Sequence, residues 1–208
     1  LLEKLSGENL SNEFFPFGTS REIEIGYARI RASRITYVGE LGWELYIPAE
    51  FASHVFETVM AAGKEFNLTP AGMHSMNNAR MEKAYRHWGH DISDEETPLD
   101  AGLGFAVAWD KPGGFIGQEA LAKQRQAKVQ RKRLVCIGLH DQSVAAPLMY
   151  HEEPIYRNGV IVGSTTSGAF GHRVNRSLAL GYVKNADGIS KDWIAGGAWE
   201  VEIAWKKY

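Results

Sequence analysis

Hydrophobic and polar residues alternate from 22 to 48, "EIEIGYARIRASRITYVGELGWELYIP", with the period of two that marks strands half-buried on one face. Trp43, Leu45 and Ile47 fall on one side of such a strand and Glu44 and Tyr46 on the other. "GELG" at 39–42 offers a turn, so a β-hairpin is the simplest account. The period then changes. In "AEFASHVFETVMAAGKEF" (49–66), Phe51, Val55, Phe56, Val59 and Met60 recur at helical spacing, which predicts an amphipathic helix packed on that sheet. A second helix is expected in "LTPAGMHSMNNARMEKAYRHWG" (68–89), with Thr69 as N-cap, Pro70 in the first helical position and Gly89 as its stop. "AGLGFAVAW" (101–109) reads as a buried strand that "KPGGFIG" breaks.

Beyond residue 133 the texture is one of short apolar runs between turn residues: "RLVCIGL", "PIYRNGVIVGSTTSGAF", "SLALGYV" and "WEVEIAW". Asn158-Gly159 can occupy both positive-φ positions of a type I′ turn, which makes the run around it a hairpin. The fold class expected is α+β: a mixed domain over 1–120, a charged linker at 121–132, and a small antiparallel β-barrel over 133–208.

Charge and composition narrow the partners. A formal charge of -2 with 44% hydrophobic residues is ordinary for a globular protein. The basic run "KQRQAKVQRKR" (123–133) is isolated and reads as a solvated helix or linker, so nucleic acid is not an expected partner. The single cysteine, Cys136, sits in an apolar run and reads as a buried core thiol, which excludes an internal disulfide framework. No stretch reaches the roughly 20 apolar residues of a membrane helix. A cytoplasmic location is expected, or the mitochondrial matrix in a eukaryote. The absence of an initiator Met points to a piece of a longer polypeptide.

Candidate chemistry is sparse. "RHWGHD" (86–91) spaces His87 and His90 three apart beside Asp91, yet no second ligand pair accompanies them and Gly89 interrupts the helix. They read as structural or substrate-facing, with no metal site. "GLGF" and "GAFG" do not complete a dinucleotide fingerprint, and neither a nucleophile elbow nor a P-loop is present. Arg80 and Glu82 lie on different faces of one helix and read as separate ion partners.

Four separated blocks, "TYVGELGWELYIP", "ARMEKAYRHWGHDISDEETPLDAGLGFAV", "FIGQEAL" and "SLALGYV", occur in the order seen in the aminomethyltransferase superfamily. The chain resembles the folate-using T-protein of glycine cleavage. "EKAYRHWGHDI" followed by "TPLDAGL" is closer to the version fused behind a flavin domain in sarcosine and dimethylglycine dehydrogenases. The resemblance implies a pterin-binding carboxylate at Glu44 and a pocket tyrosine at Tyr37, with Arg86 and His87 as further folate contacts or packing residues. A carboxylate can accept the paired N–H groups of a pterin's pyrimidinone edge in a bidentate, charge-assisted manner. Met76 stands where the free T-protein has a folate-contacting arginine, and the flavin-fused relatives tend to be apolar there.

The implied function is the folate-binding C-terminal portion of an FAD-dependent N-methylglycine dehydrogenase. Tetrahydrofolate bound there captures a one-carbon unit as 5,10-methylenetetrahydrofolate. The partners implied are a small-molecule substrate and the N-terminal flavin and folate-domain segments of a parent chain. FAD belongs to that parent and not to this chain. The family's catalytic aspartate precedes residue 1, so no catalytic residue is assigned and the chain alone is expected to be inactive. Two rivals keep the fold: a flavin-free aminomethyl- or methyltransferase, and a docking module that binds no small molecule.

Overall fold

Two residues suffice to reverse the chain between β1 (Ser20–Ile25) and β2 (Ala28–Ser33), because Gly26 takes φ +61° at the first loop position, as a type II′ turn requires. The tight hairpin therefore forms there, and not at "GELG". That segment lies in a longer connection, 34–43, leading to β3 (Glu44–Tyr46), which pairs antiparallel with β2. The computed structural model describes residues 1–127, 129–143 and 145–208, so Lys128 of the basic run lies outside the described residues. It comprises two units, residues 1–77 and 78–208.

The first unit opens with the short helix α1 (Leu2–Ser6), and its strands, in the order β1-β2-β3, form a three-stranded sheet with one apolar face. Ile23, Ile25, Ala28, Ile30 and Ala32 are buried against Phe15, Leu10 and Val55 of α2 (Ala52–Gly63), with Trp43, Leu45 and Ile47 packed on the same cluster. Helix α2 thus covers the sheet as its spacing requires. Phe56 differs from expectation and is 61% exposed, since it lies about 100° around the helix from Val55. The buried Arg34 donates to the carbonyls of Phe15 (2.7 Å) and Leu10 (3.3 Å) and to Asn12, fastening the N-terminal segment to the sheet.

Helix α3 (Met73–Glu82) is shorter at both ends than the expected 70–88. Its C-terminus is a Schellman motif. Tyr85 N–H donates to Arg80 O (3.0 Å), Ala84 N–H donates to Met81 O (3.0 Å), and Ala84 takes φ +52°. Hydrogen-bond closure around Ala84, an unlikely residue for that conformation, stops the helix five residues before Gly89. The expected strand at 101–109 is absent. Residues Gly104–Ala106 form a 3-10 turn, preceded by Gly102 at φ +69°, and Phe105 is 85% exposed, so the run is a glycine-directed loop. α4 (Gln118–Gln126) occupies the start of the charged segment as a helix with no buried residue.

The second unit carries a six-stranded antiparallel sheet, β4 (Lys132–Gly138), β5 (Pro154–Arg157), β6 (Val160–Gly171), β7 (Arg176–Lys184), β8 (Trp199–Ile203) and β9 (Lys206–Lys207), in the order β4-β7-β6-β5-β8-β9. Asn158 (φ +51°) and Gly159 (φ +78°) make the β5–β6 turn as the sequence predicts. Backbone passes so close to β6 that a Cβ on Gly168 would lie 1.5 Å from Met149 O, and one on Gly163 1.7 Å from Tyr182 O. One face is closed by α5 (Lys191–Ala195), whose Trp193 and Ile194 pack on Ile155, Val183 and Val201. The other buries Leu134, Leu178, Leu180 and Tyr182 against Met81 of α3.

Beside that second cluster is a buried ion pair. Arg80 donates to Asp91 Oδ2 (2.6 Å), to Tyr85 O (2.9 Å) and to Ser167 Oγ (2.9 Å), and its Nε has no partner among the described residues. Asp91, 0% exposed, also accepts from Thr166 Oγ1 (2.5 Å) and His87 N–H (2.9 Å), and its backbone carbonyl accepts from Tyr182 Oη (2.9 Å). Burial pushes the Tyr182 phenol well above its ordinary range, so it remains a donor. Register shifts between Thr165 and Ser167, making Thr166 the extra residue of a β-bulge. The bulge lets two consecutive hydroxyls meet one ion pair, which ordinary alternation forbids.

Cys136 departs from the expected buried thiol: it is exposed on β4. Desolvation by the surrounding protein nonetheless pushes its pKa above the usual thiol range, against a smaller opposing effect of Arg86. No helix among the described residues is long and apolar enough to cross a membrane. Two outcomes are expected. Asp91→Ala leaves the Arg80 charge buried and uncompensated and should cost about 3–5 kcal/mol in urea unfolding, whereas Glu82→Ala, lacking any comparable buried charge, should cost far less. Because the raised pKa depletes thiolate at neutral pH, iodoacetamide should modify Cys136 more slowly than free cysteine, with the rate still climbing above about pH 9.

Candidate functional site

Pairing with β2 fixes the direction of every side chain on β3. Glu44 lies opposite Ser33 and Tyr46 opposite Arg31, so the two share the face away from the apolar cluster, together with Glu22 and Arg29 of the hairpin. Both are exposed, Tyr46 at 55%. Tyr46 Oη donates to Glu44 Oε2 at 2.8 Å, and this hydrogen bond, with the negative charge behind it, pushes the Tyr46 phenol above its ordinary pKa. The phenol engages one carboxylate oxygen. Residues i and i+2 of a strand lie on the same side, so this partner was readable from the spacing, although its role as an anchor for Glu44 was not.

Tyr37 is half-buried in the 34–43 connection, where Val38 N–H donates to Thr36 Oγ1 (3.2 Å), and Glu40 is exposed in the same loop. A cavity of about 350 Å³ in this unit is lined by Leu10, Arg34, Leu41 and Trp43 among others. Glu44 and Tyr37 are not among its lining residues. Glu44 therefore stands on an open, polar face of its unit.

Arg86 and His87 belong to the second unit. Arg86 donates through Nε and Nη2 to Ala101 O (3.1 and 2.7 Å) and through Nη1 to Ala84 O (2.8 Å), so its guanidinium ties the segment after α3 to the 101 loop. His87 is half-buried and opens a tight loop: Asp91 N–H donates to His87 O (2.8 Å), and Gly89 N–H donates to Ile92 O (2.8 Å) with Gly89 at φ +86°. Its ring lies 4.6 Å from that of His90, whose ring is 6.1 Å from His151. Asp91 turns its carboxylate inward to Arg80, Thr166 and the His87 amide, and so serves to hold the His87 loop. Sequence reasoning missed this, because nothing local in "GHD" marks the acid as buried.

The pattern of hairpin, covering helix and curled sheet is matched by known proteins. Residues 1–111 match the GCVT N-terminal domain, and residues 132–208 match the glycine cleavage T-protein C-terminal barrel domain. Sarcosine dehydrogenase, mitochondrial, from Homo sapiens is 38% identical over 204 residues, 97% of this chain and 22% of the relative. Dimethylglycine dehydrogenase, mitochondrial, from Homo sapiens is 40% identical over 183 residues, 88% of this chain and 21% of the relative. The chain thus spans about a fifth of the length of these curated relatives. In fold it is similar to the crystal structure of glycine cleavage system aminomethyltransferase T from Bartonella henselae, with a TM-score of 0.71, 24% identity, and coverage of 86% of this chain and 46% of that one. With both of its domain types matched in chain order, the chain belongs to the glycine cleavage T-protein family.

Proposed function

We propose that this chain is the folate-binding portion of a flavin-dependent enzyme that demethylates an N-methylated glycine, such as sarcosine or dimethylglycine. The observation that carries the reading is Glu44 on the polar face of β3, at the position where the family resemblance puts its pterin carboxylate, with Tyr46 Oη held on one of its oxygens. The acceptors left over suit the adjacent N–H groups of a pterin edge, and the phenol restrains the carboxylate's rotation. Tyr37 would flank the ring from the 34–43 connection. Arg86 and His87 act through the loop they organise. Bound tetrahydrofolate supplies the nucleophilic nitrogen that takes up the one-carbon unit as 5,10-methylenetetrahydrofolate.

This chain's own part is orientation. A pterin fixed at one edge presents its reactive nitrogen in a defined direction, which converts capture from a bimolecular encounter to an effectively unimolecular one. The residues present do not fit a flavin: "GLGF" ends in a 3-10 turn and "GAFG" closes a strand of the barrel, so neither opens a helix at a strand end as a dinucleotide loop does. FAD is assigned to the parent polypeptide. The compartment proposed is the mitochondrial matrix in a eukaryote and the cytoplasm in a bacterium.

A second reading, a folate-fold module that binds no small molecule, draws on the exposure of Glu44 and on its place outside the lining of the 350 Å³ cavity of its unit. Titration separates the two. Folinic acid should bind the longer parent protein, and Glu44→Ala should weaken it by about 1.5–3 kcal/mol, the value of one hydrogen bond to a charged group. Binding that is absent, or unchanged by the substitution, favours the module.

A further inference from the structure

Glu44 shares its face of the sheet with a charge of opposite sign. The register sets Arg31 of β2 opposite Tyr46 and Ser33 opposite Glu44, so Arg31 stands diagonally across from Glu44 on the same side. Diagonal neighbours lie about 7–8 Å apart, within reach of a long side chain. Ser33 is nearer in register but is already engaged: it is buried, and its hydroxyl donates to Ser20 Oγ (3.0 Å). Arg29, the other cation of β2 on this face, is held by Glu22 at 2.7 Å.

Arg31 is held loosely by comparison. Its Nη2 lies 3.6 Å from Glu22 Oε1, its Nη1 donates to Ser20 Oγ at 3.4 Å, and its side chain is 53% exposed. Exposed pairs of that length contribute little, so the guanidinium can leave them cheaply. Glu22 keeps its shorter pairing with Arg29 when it does. The sheet thus sets a carboxylate next to a cation that is free to turn toward whatever the carboxylate binds.

The pyrimidinone edge of a pterin carries, in order, the 2-amino N–H, the N3–H and the 4-oxo oxygen: two donors and then an acceptor. In the reading proposed above, on which this inference rests, Glu44 accepts from the two donors and leaves the oxygen in need of a donor beside it. We propose that Arg31 turns from Glu22 to donate to that oxygen, and so selects a 4-oxo pteridine over a 4-amino one. A 4-amino group would set its own N–H against the guanidinium, with repulsion in place of a charge-assisted hydrogen bond. The other groups of a folate that suit a guanidinium are its glutamyl carboxylates. These lie beyond the p-aminobenzoyl group, at the far end of the molecule, whereas Arg31 neighbours the residue that holds the ring. Arg31 therefore serves the pterin and not the tail.

The test titrates tetrahydrofolate and tetrahydroaminopterin, which carries 4-amino in place of 4-oxo, into the longer parent protein and its Arg31→Met and Arg31→Lys variants. Arg31→Met should weaken tetrahydrofolate roughly five- to twenty-fold and move tetrahydroaminopterin less than about twofold, while Arg31→Lys, still a donor, should recover most of the loss. Where tetrahydroaminopterin binds none of the three proteins, the loss in Arg31→Met and its recovery in Arg31→Lys support the proposal by themselves. A loss shared by both ligands, a loss that Arg31→Lys leaves unrecovered, or no loss at all overturns it. In those cases a weakening by Glu44→Ala still upholds the pterin reading. Tetrahydrofolate that does not bind, or binds equally well after Glu44→Ala, overturns both.

Discussion

A guanidinium taken out of water must be neutralised and have its N–H groups satisfied, and the second unit is arranged around that demand. Arg80 meets Asp91 at 2.6 Å with side chains only 4% and 0% exposed. Desolvating both charges costs several kcal/mol per ion, and the mutual attraction offsets it only when the remaining acceptors and donors are also matched. Matching them recruits the end of α3, the loop from Tyr85 to Asp91, the bulged strand β6 and the phenol of β7. The 80–91 stretch and two strands far from it in sequence are thereby given one relative geometry. The pair is better understood as a device of specificity than as a source of net stability.

The Glu44 site is built on the opposite principle. Its carboxylate is in water, needs no neutralising partner, and is steadied by a neighbour two residues away. Such a group can wait unliganded at little cost and still offer most of its acceptor capacity. The rigid part is the strand beneath, which Trp43, Leu45 and Ile47 clamp to the core of the first unit.

Much of this architecture was legible in the residues. The alternation at 43–47 correctly assigned inward and outward side chains, Asn158-Gly159 identified its turn, and Arg80 was read as an ion partner. Where the reading went astray, non-local effects decided. The 101–109 run is apolar enough for a strand, but positive φ at Gly102 and the 3-10 turn at Gly104–Ala106 turn it into a loop. Ala84 adopts a conformation that alanine disfavours, so no residue preference could place the end of α3 there. Nor does "GSTTSG" say which threonine is the extra one, since a bulge is chosen by what the strand must reach. Cys136 looked buried because its neighbours are apolar, whereas its strand lies at the edge of the sheet.

The close packing around β6, finally, is written in atoms that are missing. At Gly163 and Gly168 backbone lies directly on backbone, with no room for even a methyl group. Close packing on this strand is thus specified by omission, and drift at either position would alter shape before it altered chemistry. A homologous barrel with side chains at both places would have to hold the loop at Met149 and the backbone of β7 farther from β6.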